Sequence, residues 1–210
     1  MNPDPLEPLL RTGIDRLGLP LGNDIVRRLL DYRALLARWN HTYNLTAVRD
    51  PQQMIVRHLL DSLAVLPYVR GPRLADLGTG AGLPGMPLAI AMPELQVSLV
   101  DANGKKVRFL REAIRALKLD NVKAVQDRME NLGGEFDCVT SRALSSVGDM
   151  LTAAGHLLAP DGIWLALKGQ RPEAELAALP PGFALSAVHA LSIPGLDAER
   201  HLLVLARAPR

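Results

Sequence analysis

Residues 73–85 read RLADLGTGAGLPG, and this stretch decides the fold. Its first five residues, Arg73–Leu77, have the apolar pattern of a buried strand. Glycines follow at positions 78, 80 and 82, and Leu83-Pro84 then opens a helix. A buried strand that runs through a glycine loop into a helix is typical of the ligand-binding end of an open α/β sheet.

The chain beyond this stretch predicts the rest of the sheet. Short apolar runs alternate with helical patterns, which indicates an α/β fold with a mostly parallel sheet. The last two strands are joined too closely for a parallel crossover, so we expect an antiparallel C-terminal hairpin. The predicted strands span residues 73–77, 96–100, 122–126, 136–140, 163–167, 184–191 and 201–207.

The first seventy residues contain helical patterns instead of strand patterns. Asn23 is predicted to cap one helix, and Asp50 is predicted to cap another that begins at Pro51, with Gln53 reaching back to the cap. We therefore divide the chain into an N-terminal helical extension, residues 1–70, packed on an α/β domain, residues 71–210.

Length and composition narrow the class of protein. The chain has 210 residues, of which 48% are hydrophobic, enough for a domain with a sizeable core. Its net charge of +2 permits a nucleic-acid partner without requiring one. A single cysteine, Cys138, excludes an internal disulfide framework and a CxxC pair. The sequence shows no signal peptide and no unbroken apolar span, so we expect a soluble, cytoplasmic protein without membrane association. We also expect a monomer.

The glycine loop and the end of the next strand predict a cofactor site. Gly78, Gly80 and Gly82 let the backbone approach a ligand closely, and the following helix start offers unpaired N–H groups. Asp101 comes directly after strand 96–100 and can accept two hydrogen bonds from ribose hydroxyls. Together these features predict a cofactor that contains adenosine.

Two adenosine cofactors fit this pattern. The run from Gly80 to Gly85 matches the GxGxxG fingerprint, so an NAD-dependent oxidoreductase is an alternative. Asp76, at the end of the first strand, suits an ammonium group better than a pyrophosphate. An antiparallel final hairpin is unusual in dinucleotide-binding sheets. No tyrosine has a lysine four residues later, so the Tyr-x-x-x-Lys pair of short-chain dehydrogenases is absent. These features favour S-adenosylmethionine.

Six short motifs in a fixed order carry a resemblance to a known family. They are NLTA (44–47), RHLLDS (57–62), DLGTGAGLPG (76–85), SRA (141–143), LKG (167–169) and ERH (199–201). Each motif alone is weak, whereas the ordered set is specific. From about Trp39 to His201 the chain resembles the bacterial ribosomal RNA small-subunit methyltransferase G family, also called glucose-inhibited division protein B.

The resemblance implies a Rossmann-like class I methyltransferase fold with an N-terminal helical extension. It also implies an enzyme that uses S-adenosylmethionine to methylate N7 of a guanine in the decoding region of 16S ribosomal RNA. The implied partner is 16S ribosomal RNA or the small ribosomal subunit. The family often has a serine after the acid that ends the second strand, whereas here Ala102 follows Asp101. By matching position, the resemblance implies cofactor contacts at Gly78, Leu83, Met129, Glu130 and Arg142.

The acceptor atom determines which catalytic groups are needed. Guanine N7 has a lone pair and no proton at neutral pH, so it can attack a sulfonium methyl without a general base. Proximity and alignment can supply about 7–11 kcal/mol of the catalysis. We therefore expect no catalytic acid or base. His189 and His201 lie too far from any plausible ligand set to suggest a metal site, so we also expect no metal ion. Cys138 lies inside a predicted strand and is interpreted as a buried apolar residue. A non-catalytic protein that binds or assembles ribosomal RNA is a further alternative.

Basic residues on one helix and at a strand end are candidates for RNA contact. The helix after Asp101 has a basic stripe beside its apolar face, and this stripe either binds phosphates or is an ordinary solvated surface. The stripe consists of Arg108, Arg111, Arg115 and Lys118. Lys168, after the fifth strand, is a further RNA candidate. His58 is interpreted as a hydrogen-bonded core histidine.

Overall fold

The computed structural model describes residues 4–142 and 145–209, and within them a seven-stranded sheet. Its strands are β1 (Arg73–Leu77), β2 (Gln96–Val100), β3 (Val122–Val125), β4 (Phe136–Arg142), β5 (Leu158–Lys168), β6 (Phe183–Ala190) and β7 (His201–Arg207). Their spatial order is β3-β2-β1-β4-β5-β7-β6. β7 pairs antiparallel with both of its neighbours, β5 and β6, whereas the pairs among β1 to β5 are parallel. The predicted Rossmann-like fold with an antiparallel C-terminal hairpin is confirmed.

Helices cover both faces of the sheet. The first four of them come before β1 in the chain, and the others alternate with the strands. They are α1 (Glu7–Arg16), α2 (Asn23–Tyr43), α3 (Pro51–Met54), α4 (Asp61–Leu63), α5 (Gly85–Ala91), α6 (Gly104–Leu117), α7 (Val147–Ala154) and α8 (Glu173–Ala177). A π-helical turn, Ile55–Leu60, joins α3 to α4. In the described part of the chain, no helix combines the length and the apolar character that a membrane crossing needs.

The register of the parallel strands aligns their carboxyl ends. Leu77, at the end of β1, pairs with Val100 of β2 and with Ser141 of β4. Arg142 then pairs with Leu167 of β5. The segments that follow these strands therefore meet at one edge of the sheet, where open α/β sheets bind their ligands.

The helical extension shares its apolar core with the sheet. Leu10 and Leu29 belong to the same buried cluster as Leu74 of β1 and Leu99 of β2. This common core fixes the extension on the α/β part because separating them would expose apolar surface to water. The division into domains at residues 70 and 71 stays a prediction.

One hydrogen bond ties the extension directly to the glycine loop. The hydroxyl of Tyr32, a fully buried residue of α2, donates to the carbonyl oxygen of Ala81 at 2.5 Å. Burial raises the pKa of this hydroxyl above its ordinary value, so it stays a donor at neutral pH. This contact could not be predicted from local sequence, since an isolated tyrosine on an apolar helix face has many possible partners.

Local sequence signals located one helix start and missed another. Asp50 Oδ1 accepts a hydrogen bond from Gln53 N at 2.8 Å, which confirms the predicted cap of α3. The Gln53 side chain does not reach back, because its Oε1 accepts from Arg57 Nε at 2.9 Å. The predicted cap at Asn23 is wrong: Gly22 is the cap residue of α2, and Asn23 is already helical.

Candidate functional site

The glycine loop after β1 has three residues in the left-handed region. Gly78, Gly80 and Gly82 have φ angles of 60°, 63° and 94°, which glycine adopts without strain. A Cβ on Gly82 would lie 2.5 Å from Met86 Cγ, so this glycine lets α5 pack against the loop. A Cβ on Gly80 would meet nothing closer than 4.0 Å. The loop is therefore packed on one side and open to a ligand on the other.

Asp101 lies directly after β2 and joins the glycine loop to the next segment. Its Oδ2 accepts a hydrogen bond from Gly80 N at 2.9 Å, and its Oδ1 accepts from Asn103 N at 2.8 Å. Lys106 Nζ lies 3.5 Å from Oδ2. Oδ1 has a second lone pair without a donor among the described residues, and the contact of Oδ2 with Lys106 is long. Asp101 can therefore still accept hydrogen bonds from ribose hydroxyls.

A cleft of about 330 Å³, called here the β2 cleft, opens where β1, β2 and β3 end. It brings together four residues that were predicted to contact a cofactor: Gly78, Asp101, Met129 and Glu130. Its other lining residues are Val100, Ala102, Lys106, Asp127 and Arg128. Lys106, Asp127 and Arg128 were not predicted as site residues. Their positions soon after β2 and β3 could have indicated them, because ligands bind beyond the carboxyl ends of such strands.

Asp76 lies beneath the glycine loop and is fully buried. Its Oδ2 accepts hydrogen bonds from the Thr79 hydroxyl and, at 2.8 Å, from Gly85 N. Burial raises the pKa of this carboxyl to about 6, although both hydrogen bonds oppose the rise. Its Oδ1 has no partner among the described residues. A buried acceptor without a donor fits a cofactor with an ammonium group, and the direct contact stays a prediction.

Gly80, Gly82 and Leu83 shape the loop and do not line the β2 cleft. The Leu83 side chain is 4% exposed within the apolar core, and its backbone N donates to Thr79 O at 2.9 Å. The structure therefore assigns these three residues a supporting position. Their predicted contacts with a cofactor stay predictions.

A second cavity of about 350 Å³ lies at the ends of β4 and β5, beside the helical extension. We call it the cationic pocket. It is lined by Val48, Arg57, His58, Asp61, Arg142, Leu167, Lys168, Gly169 and Arg200. Arg142 lines this pocket instead of the β2 cleft, so its predicted cofactor contact stays a prediction. Ala143, the last residue of the SRA motif, lies outside the described residues.

A buried carboxylate organises the cationic pocket. The Asp61 side chain is only 3% exposed, and its Oδ1 accepts from Arg200 Nε at 2.8 Å. Its Oδ2 accepts from Arg142 Nη1 at 3.1 Å, and the same nitrogen donates to the carbonyl oxygen of Arg57 at 3.2 Å. Asp61 and Arg200 belong to motifs that carried the family resemblance, but the sequence analysis assigned neither a role. Their pairing became visible only in the tertiary structure.

Lys168 lines the cationic pocket as part of a second ion pair. Its Nζ lies 2.8 Å from Glu175 Oε2 and donates to Ser145 O at 3.1 Å. This position at the end of β5 agrees with the strand-end placement that the sequence indicated. Contact between Lys168 and RNA stays a prediction.

His58 is buried on the π-helical turn at the wall of the cationic pocket. It is 5% exposed, and its Nε2 lies 2.8 Å from Thr46 Oγ1, so the expected hydrogen-bonded core histidine is confirmed. Burial, reinforced by the positive charge of Arg142, lowers its pKa to about 4. The imidazole is therefore neutral at physiological pH and a weak base.

Cys138 lies inside β4 and is fully buried, as predicted. Burial raises the pKa of its thiol to about 12. The thiolate that nucleophilic catalysis requires is therefore almost absent at neutral pH.

The basic stripe of α6 lies outside both cavities. Arg108, Arg111, Arg115 and Lys118 are exposed. Arg115 forms an ion pair with Glu112 on the same helix at 2.8 Å. Exposure agrees with either of the two interpretations, so RNA binding by the stripe stays a prediction.

Comparison with known proteins identifies the family. A family model described as rRNA small subunit methyltransferase G matches residues 25–203. The chain is 57% identical over 182 residues to a Xanthomonas oryzae pv. oryzae protein named ribosomal RNA small subunit methyltransferase G, and the match covers 86% of each chain. The family model covers the helical extension from residue 25 onward, the β2 cleft and the cationic pocket.

Solved structures support the fold. TrmN from Thermus thermophilus superposes with a TM-score of 0.60 at 23% identity, covering 73% of this chain and 53% of that chain. TYW2 from M. jannaschii, solved in complex with AdoMet, gives a TM-score of 0.55 at 16% identity and covers 71% of this chain and 76% of that chain. The predicted class I methyltransferase fold is confirmed. The glycine loop, the β2 cleft and the matched family together establish that this chain belongs to the ribosomal RNA small subunit methyltransferase G family and uses S-adenosylmethionine to methylate ribosomal RNA.

Proposed function

We propose that this chain transfers the methyl group of S-adenosylmethionine to N7 of a guanine in 16S ribosomal RNA. The β2 cleft holds the methyl donor, and the cationic pocket holds the acceptor nucleotide. The main support is that the two sites adjoin: Gly78 of the cleft follows β1, Arg142 of the pocket ends β4, and these strands are paired neighbours. Donor and acceptor can therefore meet where β1 and β4 end.

The bases of the cationic pocket suit an acceptor that needs no deprotonation. Among the described lining residues, Asp61 is held by two guanidinium groups, and His58 has its pKa lowered to about 4, mainly by burial. Neither is a good proton acceptor at neutral pH. Guanine N7 attacks with its own lone pair, and the C–S bond of the sulfonium breaks with its electrons passing to sulfur. No proton has to be removed in this step.

The residues of the β2 cleft supply positions for the donor. Asp101 accepts hydrogen bonds from the ribose, while Met129 and Glu130 lie where the adenine would be held. Gly78 allows close backbone approach, and Asp76, Gly80, Gly82 and Leu83 support the loop. Arg142 lines the cationic pocket at the end of β4, next to β1, and its guanidinium orients the acceptor toward the methyl group. The bound donor supplies the electrophilic methyl carbon.

The test is methylation of unmodified 16S ribosomal RNA transcript and of small subunits lacking the modification, with methyl-labelled S-adenosylmethionine. We expect label at one guanine, followed by strand cleavage there after borohydride and aniline treatment, which requires an N7-methylated base. Label without cleavage would reject N7 as the acceptor. RNA binding without any transfer would instead support the non-catalytic alternative.

We also propose that the active protein is a monomer without a metal ion. Sedimentation velocity measures the oligomeric state, and methyl transfer in the presence of EDTA measures the need for a metal. A dimer that alone is active, or loss of transfer in EDTA that zinc or magnesium restores, would reject this part of the proposal.

A further inference from the structure

The cationic pocket continues into a shallower groove on the helical extension. This outer groove is lined by Val48, Arg49, Asp50, Gln53 and Arg57. Val48 and Arg57 also line the cationic pocket, so the two cavities form one continuous surface. The surface runs from the ends of β4 and β5 across the segment that joins α2 to α3.

The outer groove carries two arginines whose charge is not neutralised. Arg49 and Arg57 are exposed, and neither forms an ion pair within the described residues. Arg49 Nη2 donates to Asn44 Oδ1 at 2.7 Å, and Arg57 Nε donates to Gln53 Oε1 at 2.9 Å. Both partners are neutral amides that orient the guanidinium groups while leaving their full positive charge.

The cationic pocket is different because all of its cations except Arg57 contact an acid. Arg142 and Arg200 share Asp61, and Lys168 pairs with Glu175. The single acid of the outer groove, Asp50, caps α3 through Gln53 N. Among the described residues of both cavities, Arg49 and Arg57 are therefore the cations that contact no acid, and they lie next to the mouth of the cationic pocket.

We propose that the outer groove binds the RNA backbone that flanks the acceptor nucleotide, with Arg49 and Arg57 each contacting a phosphate. This inference rests on the proposed function, because it requires RNA in the cationic pocket. Guanine N7 is inaccessible in the deep major groove of A-form RNA, so the acceptor nucleotide has to leave its stack. The strand beside an extruded nucleotide then passes over the pocket mouth, where planar guanidinium groups can bind phosphate oxygens in pairs.

The experiment compares two double variants with the same change of charge. Arg49→Gln/Arg57→Gln removes both free cations of the outer groove. Arg27→Gln/Arg28→Gln removes two exposed arginines of α2 that already pair with Asp24. Each protein is titrated with unmethylated 16S ribosomal RNA transcript at several salt concentrations, and separately with S-adenosylmethionine by calorimetry.

We expect the outer-groove variant to bind the transcript about tenfold more weakly and to lose about 1.4 from the slope of log affinity against log salt, which corresponds to two phosphate contacts on a single strand. Its affinity for S-adenosylmethionine stays at the wild-type value, and its KM for RNA rises. The control variant keeps the wild-type RNA affinity and salt slope.

Two results overturn the inference. One is an outer-groove variant with wild-type affinity and slope, and the other is an equal loss in both variants, which would indicate a general charge effect. Failure of the proposed function is a separate outcome. In that case the wild-type protein would transfer no methyl group to guanine N7, whatever the RNA affinities of the variants.

Discussion

The β2 cleft and the cationic pocket lie side by side but are built in different ways. Segments directly after β1, β2 and β3 form the β2 cleft, and loop backbone supplies much of its surface. The cationic pocket is assembled from side chains of the helical extension, β4, β5 and the segment before β7. The Asp61 carboxylate, for example, binds Arg142 and Arg200, which lie 81 and 139 positions later in the chain. One site follows from local patterns, whereas the other exists only after the extension has packed on the sheet.

The largest expected effect is that of Asp61→Asn on the cationic pocket. It leaves Arg142 and Arg200 facing each other without their carboxylate, and breaking a buried ion pair costs about 3 kcal/mol at the lower end of the usual range. We expect this loss of unfolding free energy in urea, together with loss of methyl transfer and near-normal binding of S-adenosylmethionine. Asp24→Asn, at an exposed ion pair, is the control. An unchanged urea midpoint for Asp61→Asn would show that the carboxylate does not hold the pocket together.

Asp101→Ala is the matching test of the β2 cleft. Loss of a charge-assisted hydrogen bond to the ribose removes about 1.5–3 kcal/mol of binding free energy, or about a 10–100-fold loss of affinity for S-adenosylmethionine. Calorimetry measures this change, and the affinity for the RNA transcript should not move. Glu94→Ala removes an exposed acid before β2 and should leave both affinities unchanged. Wild-type donor affinity in Asp101→Ala would remove the ribose assignment.

The two regions also contain groups with opposite responses to pH. His58 has a folded-state pKa of about 4, below its ordinary value of 6.5, so the folded state loses stability as pH falls through this interval. Asp76 has a folded-state pKa of about 6, above its ordinary value of 3.8, so the cost of its buried charge is relieved as pH falls through that interval.

These signs are separated by measuring unfolding free energy at pH 7 and pH 5. The stability advantage of wild type over His58→Gln should shrink by about 2 kcal/mol at the lower pH. Relative to Asp76→Asn, wild type should instead gain about 1 kcal/mol. If the difference in unfolding free energy between wild type and variant changed in the same direction for both variants, the assigned protonation states would be wrong.

The smallest expected effect concerns the hydrogen bond between α2 of the helical extension and the glycine loop. Tyr32→Phe removes the hydroxyl that donates to Ala81 O and keeps the ring in the core. A lost buried hydrogen bond costs about 1 kcal/mol, so we expect a few-fold weaker binding of S-adenosylmethionine and an unchanged affinity for RNA. Tyr43→Phe, on an exposed ring stacked against Trp39 at 5.1 Å, is the control. Equal donor affinity in both variants would mean that the extension does not support the glycine loop.

The β2 cleft could be predicted because short-range patterns specify it. The apolar run before Gly78 and the acid after strand β2 mark two strand ends, and parallel pairing brings strand ends together. The same reasoning placed Asp50 at the start of α3. It failed at Asn23, because a residue that can cap one helix start can also lie one position inside it, and local sequence does not separate these alternatives.

The partners of the cationic pocket could not be predicted from spacing. A lone Asp61 on a helix and a lone Arg200 in a loop have many possible partners, and nothing local states that they meet. The position of Arg142 at a strand end was predicted, but its orientation toward Asp61 was not. The same holds for Tyr32, whose hydroxyl finds Ala81 only when α2 packs beside the glycine loop.

The amino-acid sequence by itself determined the strands, the glycine loop, the acid at the end of β2 and, through its ordered motifs, the family. Those features depend on backbone conformation and on alternation over a few residues, which the chain encodes locally. Only the tertiary structure decided which side chains from distant segments share one carboxylate and where uncompensated positive charge reaches the surface. Ion pairing and burial depend on distances in space, and those distances are set by the packing of the extension against the sheet.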